Sequence, residues 1–69
     1  MKFNYSKLLG RMRELGFTQE SLAVAIGKTK GTLNSKLNNQ YSFTQSEMIA
    51  ICDVLHIPYK EIHLYFFAV

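Results

Sequence analysis

The sequence predicts an all-α domain of five short helices, and three observations carry that prediction. Apolar residues recur at three- and four-residue steps along most of the 69 positions, with no alternating run of the kind a strand needs. Two glycines, Gly16 and Gly27, stand where apolar periods break off, as residues just past helix ends do. Two stretches, FTQES at 17–21 and FTQSE at 43–47, each open a new apolar period. Their separation of 26 residues suits a structural repeat, but the likeness stops after five positions. They read as two helix starts that use the same local chemistry.

Helix one is expected over 5–15, where Tyr5, Leu8, Leu9, Met12 and Leu15 share one side and Lys7, Arg11 and Glu14 the other. Helix two follows the N-cap Thr18, with Phe17 and Leu22 placed as a hydrophobic staple and Leu22, Ala23 and Ile26 as its apolar face. Helix three follows the cap Thr29, is anchored by Leu33 and Leu37, and ends in the polar stretch NNQYS. Helix four follows Thr44, with the staple pair Phe43 and Met48 and a buried stripe of Met48, Ile51, Cys52 and Leu55. Pro58 opens helix five, in which Tyr59, Ile62, Tyr65 and Phe66 lie at helical spacing. The closing LYFFAV fits either a frayed helix end or an extended tail.

Residues 1–69 make one domain, too short for a large core. A single cysteine excludes an internal disulfide and predicts a reducing, cytoplasmic setting. No run approaches the ~18 apolar residues of a membrane span, and the opening MKFNYSKLLGRMRELGF lacks the apolar core of a signal peptide. Residues 1–39 hold seven basic groups against two acidic ones, a net +5, whereas residues 40–69 hold one against three, a net −2. Such asymmetry suits one face that meets a polyanion, although ordinary surface scatter would also produce it.

The two helix starts differ three residues after the cap. Glu47 can reach back to the Thr44 N–H and complete a capping box, and its charge would repel an anion. The corresponding Ser21 is expected to leave donors of helix two free for a phosphate, with Gln19 adding its amide. From Gln19 to Leu37 the chain then supplies a short helix, the small Ala23, a turn at Gly27 and a second helix around Leu33. These are the requirements of a helix-turn-helix, whose second helix enters the DNA major groove.

FTQESLAVAIGKTKGTLNSKLNN, followed by FTQSEMIAICDVLHIP, resembles the DNA-binding domains of Cro and C1-type phage repressors, and more narrowly small prophage-encoded regulators of Gram-positive bacteria. The resemblance spans roughly residues 5–65. It implies a compact five-helix, lambda-repressor-like domain that binds double-stranded operator DNA as a homodimer, with the helix-turn-helix formed by helices two and three. It also implies a phosphate contact from Gln19 and base contacts from Thr29, Lys30, Gly31 and Ser35. Gly31 departs from the long side chain common at its position, and Lys36 from the usual apolar residue.

Independently of the resemblance, burial of Leu33 and Leu37 turns Gly31, Asn34, Ser35 and Asn38 outward, with Thr32 on the flank and Lys30 at the N-terminal end. Such amide, hydroxyl and ammonium groups read base edges. Lys28, Lys36, Asn39 and Gln40 are expected to contact phosphates, and Tyr41 stands beside helix three. Cys52 and His56 have the spacing of a metal pair, but two ligands are too few and Cys52 falls on the buried stripe. Neither a catalytic arrangement nor a site for a cofactor, metal or small-molecule substrate is expected. Tyr65, Phe66, Phe67 and Val69 are expected to stand exposed together and to pair two copies; the alternative is that Phe66 and Phe67 fold back onto the core formed by helices one and five, leaving a monomer in solution. The rival reading is a protein-interaction module, antirepressor- or antitoxin-like, on the same scaffold.

Overall fold

The computed structural model describes residues 2–69 and contains five α-helices and no strand among them. They are α1 (Ser6–Glu14), α2 (Gln19–Ala25), α3 (Lys30–Leu37), α4 (Gln45–Leu55) and α5 (Ile62–Phe66). The all-α, five-helix expectation holds. The last element differs in detail, because Pro58 lies in extended backbone and a 3-10 turn, Tyr59–Glu61, precedes only five residues of α5.

Each helix start expected at a threonine is formed by that threonine. The side chains of Thr18, Thr29 and Thr44 accept from the backbone N–H three residues on, at 3.0, 3.2 and 3.1 Å. The helix ends share a second device. After α1 and α2, Gly16 and Gly27 take the left-handed conformation at φ 76° and 73°. The next N–H then bonds back to Met12 and Ala23, each at 2.8 Å. After α3 and α4 the same turn is made by Asn39 and His56, at φ 64° and 55°. An asparagine or histidine there is strained relative to glycine, and both positions have compensating bonds. The Asn39 amide accepts from the Phe3 N–H at 2.8 Å and donates to the Phe3 carbonyl at 3.0 Å. The His56 and Leu55 carbonyls accept from the Arg11 guanidinium at 3.3 and 2.9 Å, so a cation closes the negative end of α4.

The core gathers Leu8 and Met12 of α1, Leu22 and Ala23 of α2, Leu33 of α3, Ile51, Cys52 and Leu55 of α4, and Phe66 of α5. Phe43 links the two ends of the chain through edge-to-face contacts with Tyr5 at 5.4 Å and Phe66 at 5.3 Å. The expected exposed C-terminal aromatic patch is therefore corrected. Phe66 is only 1% exposed, and Tyr65 is half-buried with the Lys7 ammonium over its ring. Phe67 stays half in solvent against Phe3, and the Ala68 carbonyl accepts from the Asn4 N–H at 2.7 Å. The small core had room for Phe66 because α5 ends where α1 begins.

This docking separates two neighbouring phenylalanines. Phe66→Ala is expected to cost ~3–5 kcal/mol, near the whole stability of so small a domain. Phe67→Ala is expected to cost under ~1.5 kcal/mol, since half its surface is already exposed. Urea unfolding of the two variants measures the difference, and equal losses would contradict a docked C-terminus.

Candidate nucleic-acid interface

α2 packs on α3 more extensively than any other pair of elements meets. The closeness comes from Ala23, which is 1% exposed and has no side chain beyond Cβ to hold the helices apart. Leu33 is the one fully buried residue of α3. Gly31, Asn34 and Asn38 face solvent, with Thr32 and Ser35 half-buried on the flank. Three of the four residues expected on the outward face are there; Ser35, expected among them, is partly covered instead.

Three amides on that side are joined. Asn34 donates to the Gln19 side-chain oxygen at 3.0 Å, and Asn38 donates to the Asn34 side-chain oxygen at 3.0 Å. The relay runs from the first residue of α2 along the outer face of α3. It leaves the Gln19 amide N–H groups and the Asn38 carbonyl oxygen outside its internal bonds. Lys30 is exposed at the head of α3, and Lys28 in the preceding turn has 45% of its side chain exposed. The Thr29 hydroxyl accepts from the Thr32 N–H and donates to the Thr32 hydroxyl at 3.0 Å, so its capping role consumes it. Gln40 and Tyr41 are exposed in the loop after α3.

Two expected site residues, Asn39 and Lys36, and the expected opening at Ser21 stand otherwise. Ser21 does not leave the start of α2 open: its hydroxyl accepts from the Thr18 N–H at 2.9 Å and completes a capping box. The sequence contrast with Glu47 was one of charge, not of capping, because a serine hydroxyl spans the same gap. Asn39 is no free loop amide, since both of its polar ends are held by Phe3. Lys36 is not an outward cation. Its side chain is 13% exposed and its ammonium bonds the Glu47 carboxylate.

Glu47 is the residue that sequence reasoning undervalued. It is 5% exposed, the one buried charged residue among those described. One carboxylate oxygen accepts from the Thr44 N–H at 2.8 Å, and the other takes Lys36 and lies 3.8 Å from the Lys28 ammonium. Burial pushes the carboxyl up, but the Lys36 hydrogen bond and charge, with the Thr44 bonds, outweigh it and hold it below the ordinary glutamate value. The signal in the sequence was Lys36 itself, a charged residue three positions past the buried Leu33 and next to Leu37, on the inner side of α3. Cys52 lies in the core, where burial first and then Asp53 push its thiol up, whereas His56 is exposed at the end of α4.

Removing one partner of a buried pair strands the other. Lys36→Ala is therefore expected to destabilise the fold by ~3–5 kcal/mol, rather than to act mainly on a ligand. The pH dependence follows from the lowered carboxyl. The Glu47 contribution is complete above the ordinary value of 4.5 and is lost as pH falls through the lower folded-state value. Glu47→Gln is expected to melt well below the parent at neutral pH, with the gap narrowing progressively as pH falls below 4.5. Thermal melts across that range measure this, and a gap independent of pH would contradict the ion pair.

No curated protein matches the sequence. A family model described as "Protein of unknown function (DUF739)" matches residues 1–69. The match runs the length of the chain, and the protein belongs to that family.

Proposed function

We propose that the protein is a sequence-specific double-stranded DNA-binding transcription regulator of the Cro and C1 type, which lays α3 in the major groove. The observation that carries this reading is the Gln19–Asn34–Asn38 relay. Amides fixed by one another have less freedom to lose on binding, and amides are the side chains that pair with adenine edges. Gln19 at one end of the relay contacts a phosphate and sets the register of α3.

The charges around the relay agree with it. α3 contains no acid, and Lys28 and Lys30 flank its start. Glu47, the nearest carboxylate to Lys28, is already neutralised by Lys36. The start of α2 is closed by a serine hydroxyl, and the one acid of its first turn, Glu20, is exposed and faces Lys30 across a shared recess. The domain acts by binding and needs neither a cofactor nor a reaction.

Size argues for a pair of copies on DNA. The longest dimension of the fold is 26 Å, shorter than the ~34 Å between successive major grooves on one face of a duplex. One copy reaches one groove, and a homodimer reads two half-sites. The exposed remainder of the C-terminal apolar segment, Leu64, Phe67 and Val69, is the surface for that pairing. A protein-interaction module is the second reading. It rests on the apolar groove lined by Met48, Ile49, Ile62 and Phe67.

Affinity for duplex DNA at two salt concentrations separates the readings. A regulator of this kind loses affinity steeply as salt rises, because the release of DNA counterions on binding then contributes less, whereas an interaction module binds little duplex at either concentration. Within the site, Lys30→Ala and Asn34→Ala are each expected to cost ~1–3 kcal/mol on the selected sequence and to relax preference at one base pair. Lys28→Ala is expected to weaken all sequences alike and to lower the salt slope by about one. Selection from a random duplex library with each variant is the check. A new preferred site for Lys28→Ala alone would contradict this assignment.

A further inference from the structure

Two residues beside each other on the outer side of α3 work against the stability of the isolated fold. Gly31 lies inside the first turn of α3, where glycine is a poor helix former. Its backbone is not in the left-handed region, and a Cβ built on it meets nothing within 4 Å. Neither conformation nor packing within the protein requires a glycine there. Tyr41, in the following loop, keeps 69% of its surface in solvent. Together with Thr32, Ser35, Lys36 and Ser42 they line a recess open to solvent. The missing side chain at 31 opens the recess, and the tyrosine walls it.

The chemistry of the recess narrows what fits it. Its one cation, Lys36, is bound by Glu47 and is not available to the acceptor edge of a guanine. It contains no carboxylate or amide, since Asn34 and Asn38 lie outside its lining. What remains is apolar surface edged by the hydroxyls of Thr32, Ser35, Tyr41 and Ser42. Thymine is the base that offers the major groove a methyl group next to an oxygen acceptor. Resting on the reading of α3 as the helix that enters the major groove, we propose that the recess between Gly31 and Tyr41 is a subsite for the 5-methyl edge of a thymine. The methyl group fills the space left by the absent side chain, and a recess hydroxyl donates to the thymine oxygen. Gly31 is thus a specificity-determining position through what it lacks.

The test uses the full chain and a duplex selected from a random library, with each thymine of the site replaced in turn by uracil, which removes the methyl group alone. Burial of one methyl predicts a loss of about 3- to 5-fold in affinity for the wild-type protein at one thymine per half-site. Gly31→Leu fills the recess and Tyr41→Ser removes its wall, so in each variant that uracil penalty is expected to vanish. Thermal melts keep folding separate from binding. Gly31→Ala and the control Gly10→Ala, whose added Cβ also meets nothing within 4 Å, should each raise the midpoint by roughly 2–6 °C. Only Gly31→Ala should weaken DNA binding. If the wild type selects a site but no uracil matters, or the penalty survives in Gly31→Leu and Tyr41→Ser, the subsite is wrong while the DNA reading stands. If the wild type binds no duplex, both fall.

Discussion

The Glu47 carboxylate holds the arrangement of this domain together. It sits out of solvent at the start of α4, closes that helix through the Thr44 N–H, and takes the Lys36 ammonium from α3. A buried charge without a partner is costly, so the pair tolerates little displacement of one helix against the other. α3 depends on this contact more than a strongly amphipathic helix would. It buries a single residue fully, Leu33, with Leu37 only partly covered. One apolar anchor lets a short helix roll about its axis. The ammonium, three positions further along, fixes the roll and so decides which residues face outward.

The other end of α3 is held by a different polar device. Asn39 turns the chain in the left-handed conformation while its amide clasps the backbone of Phe3, and the next residue, Asn4, bonds Ala68. The beginning of the chain, its end and the exit from α3 are thereby joined. With both ends fixed from behind, the outer face of α3 needs no further internal support. Its amides bond one another and the start of α2 instead. In the proposed function that division assigns the inward polar residues to positioning and the outward ones to reading.

Helix number, helix order and every threonine cap were legible from local chemistry, because staples, caps and glycine ends act within a few residues of chain. So, in outline, was the outward face of α3, since burial of Leu33 and Leu37 turns Gly31, Asn34 and Asn38 to solvent, but its exact roll, set by the Lys36–Glu47 pair, was not. What escaped reading depends on contacts distant in sequence. Lys36 looks like a surface cation until Glu47, 11 residues on, is brought beneath it. Asn39 looks like a loop amide until Phe3, 36 residues away, lies against it. Arg11 counts toward a basic half of the chain until the end of α4 claims it. Charge totals along the sequence therefore overstated the segregation of charge in space, since Lys36 and Glu47 come from opposite halves and cancel inside the fold. Phe66 was left between two readings for a related reason: a terminal aromatic looks as free to fray as to fold back until Phe43, itself against Tyr5, is seen to pack on it.

The central claim is that α3, locked from behind by Glu47 and Asn39, presents a preset face to duplex DNA. Amide chemical shifts followed through a titration with a selected duplex test it most directly. The account predicts perturbations concentrated at Gln19, Lys28, Lys30, Gly31, Asn34, Asn38 and Tyr41. The amides of Lys36, Asn39 and Glu47 should move little, because their helices are already set. Perturbations centred on Met48, Ile49, Ile62 and Phe67, or none at saturating duplex, would contradict it.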